Sequence, residues 1–504
     1  MAARHVRKSM LHLLTAISKF TMIFIMALYT YYSYSALSPR ISEERAGRLY
    51  RMQTILVMFL FINGYIVILM HTLYSGGDEE VTSVSAAQQM LILFLAELVL
   101  LRIIFIIYKY FYAKASDALV NNMCMLLATG FLILSRLSWD KSLRQFFLAV
   151  AAVVLTALIP LFVRKLKFLN RLAYVYAFIG IAGLLVVAVA GSTDYGAKLN
   201  ISLGPVTIQP SEFIKILFVF FLAAMLYDIR DKRQVYVATA IAGIHVLLLV
   251  ASRDLGGAAI FLTAYLVMLY VATGRFELFA GGILLGGVGA FLSYLLFTHV
   301  KNRVMAWIDP IAVIDDQGYQ VAQSLFAIGT GGWFGSGLYE GMPEKIPVVT
   351  KDFVFAAISE EMGGFFALCL IFVCISCFLM FFNIAMQIRD SFYKLVALGL
   401  GTVYGIQVFL TLGGVIRFIP STGVTLPLVS YGGSSLLSTM ILFAVIQGLY
   451  CLREDQREDE ELEAILAEGM RETGNRRRGR PPGGAKSSAA GRSKAPDNRK
   501  TKKR

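Results

Sequence analysis

Charge is what this chain has least of. Asp, Glu, Lys and Arg make up 16% of its 504 residues, where soluble globular chains sit near about 25%. With 57% hydrophobic residues and a mean hydropathy of +0.67, a soluble globular domain is excluded. Cysteine is scarce as well. Cys124, Cys369, Cys374, Cys377 and Cys451 all sit in or beside apolar runs. Cys374 and Cys377 form a CxxC, but no histidine or second pair stands near them. Apolar packing accounts for them, and neither a disulfide framework nor a redox or metal site is indicated. His12, His71, His245 and His299 are isolated in sequence, and none is given a catalytic role.

What the chain has in abundance is long apolar runs. About thirteen segments are long enough, at about 18–25 residues, to cross a bilayer core. They lie near 11–36, 50–74, 87–113, 118–137, 145–164, 171–191, 211–228, 233–251, 255–273, 276–298, 361–385, 393–416 and 431–452. A spanning backbone must satisfy its own hydrogen bonds, so these segments are helices. The fold class is therefore all-α, a polytopic transmembrane helical bundle. Arg4, Arg7 and Lys8 before the first run mimic a secretory leader, but the run continues to Leu37 without an A-x-A site. We read it as a retained membrane segment.

The formal net charge of +14 is unevenly placed. Residues 475–504 hold twelve Lys and Arg against one acid, Asp497, so most of the excess sits in a tail. From Gly474 onward there is almost nothing to bury, which reads as disorder; residues 453–473 read as a charged helix continuing the last span. Basic residues gain roughly 1 kcal/mol each near anionic lipid, so membrane lipids, and no nucleic acid, are the expected contact of the tail. The linkers 164–171, 227–233 and 387–394 are basic or mixed, and 75–86 lacks Lys and Arg. The positive-inside rule then places 192–210, 299–360 and 417–430 outside the cell membrane and the tail in the cytoplasm. Thirteen spans also put the basic N-terminus outside, against the pull of Arg40, Arg45, Arg48 and Arg51. Either it lies outside or the first segment lies in the interface.

The 299–360 segment is the largest polar stretch in an apolar chain, and loops on a rigid scaffold are where chemistry tends to sit. Asp309 precedes Pro310, which taken alone reads as a helix N-cap followed by proline at the first helical position. Gly329, Gly331, Gly332, Gly335 and Gly337 allow unusual backbone, or the close approach of a ligand. Glu212 and Lys215, three apart, share a helical face. Charges near mid-bilayer cost roughly 2.5–3.5 kcal/mol each and so pair or line a cavity. Arg253 and Asp254 invite the same two readings. Glu360 and Glu361 read as carboxylates at a helix N-terminus. Pro420, Pro427, Gly432 and Gly433 interrupt an apolar region, and such breaks line a cavity or lie buried in protein.

Seven segments run in one order from about residue 118 to 452: DKSLRQFF, GAKLNISLGPVTIQPSEFIKI, RDLGGA, RVMAWIDP, GYQVAQSLFAIGTGGWFGSG, KDFVFAAISEEMG and PSTGVTLPLVSYGGSS. Together they resemble the SEDS family (shape, elongation, division and sporulation). The resemblance implies a ten-helix body over 118–452, preceded by an extra N-terminal module of about three spans (1–117) and followed by the charged and basic tail (453–504). It implies a peptidoglycan glycosyltransferase that polymerises lipid II during division, elongation or sporulation. The GlcNAc 4-OH of the acceptor would attack MurNAc C1 of the donor, releasing undecaprenyl diphosphate and leaving a β-1,4 link. The family's loop aspartate falls on Asp309, which would act as general base, a role typically worth about 10²–10⁴-fold. The leaving diphosphate needs positive charge, for which Arg303, Lys215 and Lys351 are the candidates, in that order. Glu212, Asp352 and Glu361 fall on family motif positions and would line the site, with Gln320 and Gln323 as candidates for sugar hydroxyls. No cofactor is assigned; a divalent cation, Mg or Mn, would suit a diphosphate, but no ligand cluster is legible.

The expected partner is a class B penicillin-binding protein, a transpeptidase. The chain departs from the family pattern at Arg253, where proline is usual, at Lys351, where threonine is usual, and at Thr411, where asparagine is frequent. Two other readings stand beside the polymerase: a lipid II flippase, which would need no base at Asp309, and a non-catalytic scaffold for division or elongation proteins.

Overall fold

Every apolar segment read from the sequence is helical, as a backbone cut off from water requires. The computed structural model describes residues 2–38, 41–75, 80–166, 168–194, 197–203 and 206–478. Three helices come first: α1 (Ala2–Ala36), α2 (Glu43–Ser75) and α3 (Glu80–Phe111). Then follow α4 (Asp117–Leu137), α5 (Trp139–Thr156), α6 (Ile159–Lys165) and α7 (Ala173–Ala190). A small antiparallel sheet, β1 (Ser192–Asp194), β2 (Ala197–Leu203) and β3 (Val206–Ile208), fills what the sequence reads as plain loop. Next come α8 (Pro210–Leu226), α9 (Lys232–Ala251), α10 (Leu255–Thr273) and α11 (Phe276–Leu296). The polar 299–360 segment is itself largely folded, as α12 (Thr298–Ile308), α13 (Tyr319–Gly331) and α14 (Val354–Met362). The last are α15 (Gly364–Gln387), α16 (Ser391–Val415) and α17 (Gly433–Arg478).

Among the described residues, twelve helical stretches are long and apolar enough to cross a membrane. The remaining segment, α8, has 17 residues. This is a multi-pass membrane protein. Met1–Glu454 forms one compact unit. Residues 455–504 form a second, whose described part is helical and carries an Arg457–Glu461 ion pair of 3.3 Å. The sequence reads disorder from Gly474, yet helix continues to Arg478; the rest of the basic tail lies outside the described residues.

Burial sorts the helices. α4 is enclosed along its whole apolar length and α16 along most of it, whereas α11 is almost wholly exposed. In lipid the exposed apolar faces need no covering, so the centre is marked by polar groups that must be satisfied. On α4, Asn122 accepts from Tyr29 of α1 at 2.8 Å and donates to Ser376 of α15 at 3.1 Å. Caps fix the helix ends. Asp390 accepts from the N–H groups of Phe392 and Tyr393 to open α16, and Gly274, at φ +66°, closes α10 in the left-handed form.

Two of the glycines at and after the end of α13, Gly331 and Gly335, serve chain packing. A Cβ on Gly331 would lie 2.2 Å from the Ser359 carbonyl oxygen, and one on Gly335 (φ +75°) 2.4 Å from that of Glu361. The turn after α13 is thereby pressed against α14. Gly335→Ala combines a left-handed alanine with a backbone clash and is expected to cost about 2–4 kcal/mol, read as a lower thermal unfolding midpoint in detergent. Gly47→Ala on α2, where a Cβ meets nothing within 4 Å, leaves the midpoint unchanged or raises stability by up to about 1 kcal/mol.

Candidate active site

The site is assembled from helix ends. α8 opens with Pro210, whose missing N–H costs nothing at a first helical position, so Glu212 and Lys215 fall in its first two turns. Lys215 Nζ lies 2.6 Å from Glu212 Oε2 and donates to Gln407 Oε1 at 2.7 Å. Ser438 Oγ donates to the same carboxylate at 2.8 Å. Both charges are thus paired and further hydrogen-bonded, as groups removed from water must be. Asp254 caps α10, its Oδ1 accepting from the Gly257 N–H at 2.8 Å. Arg253 before it takes φ +64°.

Residues 416–432 carry no helix, and side chains tether their backbone. Arg303 of α12 donates to the Thr422 carbonyl at 3.0 Å, Thr411 Oγ1 to that of Val424 at 3.0 Å and Gln407 Nε2 to that of Thr425 at 3.1 Å. Glu212, Lys215, Arg253, Asp254, Arg303 and residues 421–425 line a cavity of about 290 Å³, together with His299, Gln320, Val348 and Asp352. Burial pushes the Asp352 carboxyl up to about 6, against the pull of Arg303 and Lys351. Burial raises Asp254 too, and it lowers Arg303, an effect that Asp352 and Asp254 oppose. Val348 lines the cavity at φ +58°, a costly conformation for a β-branched residue.

Asp309 lies outside this cavity, exposed at the C-terminal cap of α12. Its Oδ1 accepts from the N–H groups of Ile311 and Ala312 at 3.2 and 3.1 Å. It does cap, but what it caps is a run of turns and not the helix that Pro310 suggests. Oδ2 has no hydrogen-bond partner among the described residues. Arg417, at φ +59°, donates to the carbonyls of Trp307 (2.7 Å) and Ile308 (2.5 Å), pinning the end of α12 just before Asp309. Arg303 and Asp309 are six residues apart, about 9 Å along a helix axis. A cation within the cavity and an open carboxylate at the end of the same helix can serve, respectively, an anionic leaving group and a hydroxyl nucleophile.

The family model for the cell cycle proteins FtsW, RodA and SpoVE matches residues 133–453. The chain belongs to this family. The peptidoglycan glycosyltransferase RodA of Mycobacterium tuberculosis is 38% identical over 327 residues, which are 60% of this chain and 69% of that one. A probable peptidoglycan glycosyltransferase FtsW of a Geobacter species is 32% identical over 52% of this chain and 74% of its own. A solved chain of a peptidoglycan synthase complex that coordinates polymerization and crosslinking shares the fold. Its TM-score is 0.57 at 24% identity, over 67% of this chain and 98% of that one.

Of the residues singled out in the sequence, Glu212, Lys215, Arg303, Gln320 and Asp352 line the cavity, while Asp309, Gln323, Lys351 and Glu361 do not. Glu361 stands at the C-terminal end of α14, and so does Glu360; neither opens a helix as the sequence suggests, because Gly363 at φ +90° separates them from α15. Glu361 Oε1 accepts from Arg136 Nε at 2.9 Å and from the Tyr339 N–H at 3.1 Å. Arg136 lies over the Tyr339 ring. The break read around Pro420 to Gly433 as lining a cavity or lying buried supplies residues 421–425 of the wall, whereas Gln209 and His299 are missed by the sequence reading. His299 alone carried a signal, four residues before Arg303 on the same helix face.

Among the described residues Glu361 has no other cation within ion-pair distance, while Arg136 keeps Glu344 at 3.4 Å and the Tyr339 ring. Arg136→Met is therefore expected to lower stability by about 3–5 kcal/mol. Glu361→Gln should cost clearly less. Thermal unfolding of the two variants side by side in detergent reads the difference.

Proposed function

We propose that this protein is a peptidoglycan glycosyltransferase that polymerises lipid II, with Asp309 as general base and Arg303 and Lys215 facing the diphosphate. The observation that carries the reading is the cavity: cations and carboxylates converge below the helix whose far end bears Asp309, in a chain of this family. A sugar hydroxyl is a poor nucleophile at neutral pH, and a carboxylate in hydrogen-bond reach takes its proton as the bond forms. The two backbone donors at Oδ1 orient Asp309 and leave Oδ2 for that proton. On the other side, a diphosphate departs more easily where fixed cations meet the charge it develops. Glu212, Gln320 and Asp352 support the cavity wall or bind sugar. Gln323, Lys351 and Glu361 act from outside it, the last by holding α14.

The same proposal includes a class B penicillin-binding partner and an extracytoplasmic 299–360 segment, supported by the family resemblance and by the basic linkers at the other ends of the helices. Residues 1–117 are proposed as a module added to the family body.

The test is glycan polymerisation from lipid II by the purified protein with a class B partner. Wild type is expected to form polymer, and Asp309→Asn to lose about 10²–10⁴-fold of the rate. Polymer unaffected by the substitution removes Asp309 as base. No polymer from wild type with a cognate partner overturns the polymerase and favours the flippase.

A pH effect follows from Asp352. Its carboxyl is ionised above about 6 and neutral below, so acidification removes one negative charge from the cavity wall while a diphosphate diester keeps both of its own. Binding of lipid II, which is such a diester, to the Asp309→Asn variant is expected to tighten about three- to tenfold between pH 7.5 and 5. Asp352→Asn should bind more tightly at pH 7.5 and lose that dependence.

A further inference from the structure

Three carboxylates, Glu212, Asp254 and Asp352, and three cations, Lys215, Arg253 and Arg303, line the cavity. Their formal charges cancel, so the affinity of the cavity for an anion depends on which cations are already engaged. Lys215 is held by Glu212 and Gln407. Arg303 donates to the Thr422 carbonyl and lies in the field of Asp352 and Asp254. Arg253 differs. Among the described residues no carboxylate lies within ion-pair distance of its guanidinium, which sits 5.8 Å from the Phe297 ring and near His299. The residue is exposed to the cavity mouth.

The backbone at this position is strained as well. A non-glycine residue at φ +64° costs of order 1 kcal/mol and persists where surrounding structure dictates it. Here the dictating contacts are local: the Arg253 N–H bonds to the Val250 carbonyl at 2.9 Å and that of Asp254 to the Leu249 carbonyl at 2.9 Å, closing α9 before Asp254 opens α10. Proline, which the family resemblance leads one to expect at 253, is held near φ −65° and cannot take this form.

We propose that Arg253 is an additional anion-binding residue of the cavity, taking the diphosphate of a polyprenyl-linked substrate beside Arg303. A guanidinium presents a planar fork of donors suited to phosphate oxygens. With its partner position vacant, Arg253 gives up no ion pair on binding. The identity of the anion rests on the polymerase reading above; the presence of an anion site at Arg253 does not.

The test is direct binding of undecaprenyl diphosphate to the full-length protein in detergent, with undecaprenol as the neutral control and inorganic pyrophosphate as competitor. Arg253→Gln, which keeps the left-handed turn of a non-glycine residue and removes the charge, is expected to weaken binding about tenfold. Arg253→Lys retains it within about threefold, which a purely structural role would not produce, and equal unfolding midpoints exclude misfolding. Unchanged affinity in Arg253→Gln overturns the inference, as does a wild type that binds undecaprenol equally well. Polymerisation is followed in the same preparations. Charge-dependent binding without polymer from wild type would overturn the polymerase reading alone. Normal polymerisation with binding indifferent to Arg253 would overturn this inference alone.

Discussion

The arrangement of the site depends on one buried ion pair. Arg136 and Glu361 meet at 2.8 Å with almost no solvent contact, and burial pushes the Glu361 carboxyl up to about 7 despite its partner. Taking two charges out of water costs several kcal/mol, and an apolar pair would often be no less stable. What the ion pair provides is position. Glu361 ends α14, a helix buried at every residue, and Asp352 stands two residues before that helix begins. Nine residues at about 1.5 Å each make a strut of some 13 Å. Fixing its far end at Arg136 fixes Asp352 in the cavity wall.

Strain is concentrated around the same parts. The non-glycine residues at positive φ are Arg253, Tyr339, Val348, Arg417 and Leu428. Arg253 and Val348 line the cavity, Arg417 clamps the end of α12 before Asp309, and Tyr339 bonds Glu361. Each such conformation costs of order 1–3 kcal/mol and survives only when the scaffold determines it. The enclosed helices α4, α14 and α16 supply that scaffold. The irregular backbone at 421–425 holds its place because Arg303, Thr411 and Gln407 donate to the carbonyls of Thr422, Val424 and Thr425.

The helices were legible because their signal is local: length and hydropathy decide a span without reference to its neighbours. Glu212 and Lys215 were legible for the same reason, since a three-residue spacing on a helix fixes their meeting. What escaped the sequence is what distant segments decide. Glu361 sits in a family motif, yet its partner lies 225 positions away on α4, and nothing near it in the chain reveals that it holds a strut instead of lining the cavity. Gly331 and Gly335 signal close approach correctly, but only the fold shows that what approaches is the chain's own α14. Asp309 shows the limit from the other side. Its capping of nearby N–H groups was readable, whereas its distance from the cavity depends on where Arg417 pins α12.

Two of the three helices ahead of the matched family region, α1 and α2, are tied into this network. On α1, His12 lies 2.7 Å from Glu340, Lys19 donates to the Gly335 carbonyl at 3.0 Å, and Phe20 packs on Phe334. On α2, His71 stacks on Tyr339 with ring centroids 3.7 Å apart. All four contacts fall on the turn between residues 334 and 340, whose Tyr339 N–H bonds Glu361. A continuous path of packed groups therefore runs from α1 and α2 through Tyr339 and Glu361 along α14 to Asp352. Such a path is a physical route for coupling and not evidence of a switch, which would need a second arrangement of the same contacts. As built, it stiffens. Here α1 and α2 grip the turn at 334–340, and through Glu361 and α14 that grip reaches Asp352 in the cavity wall.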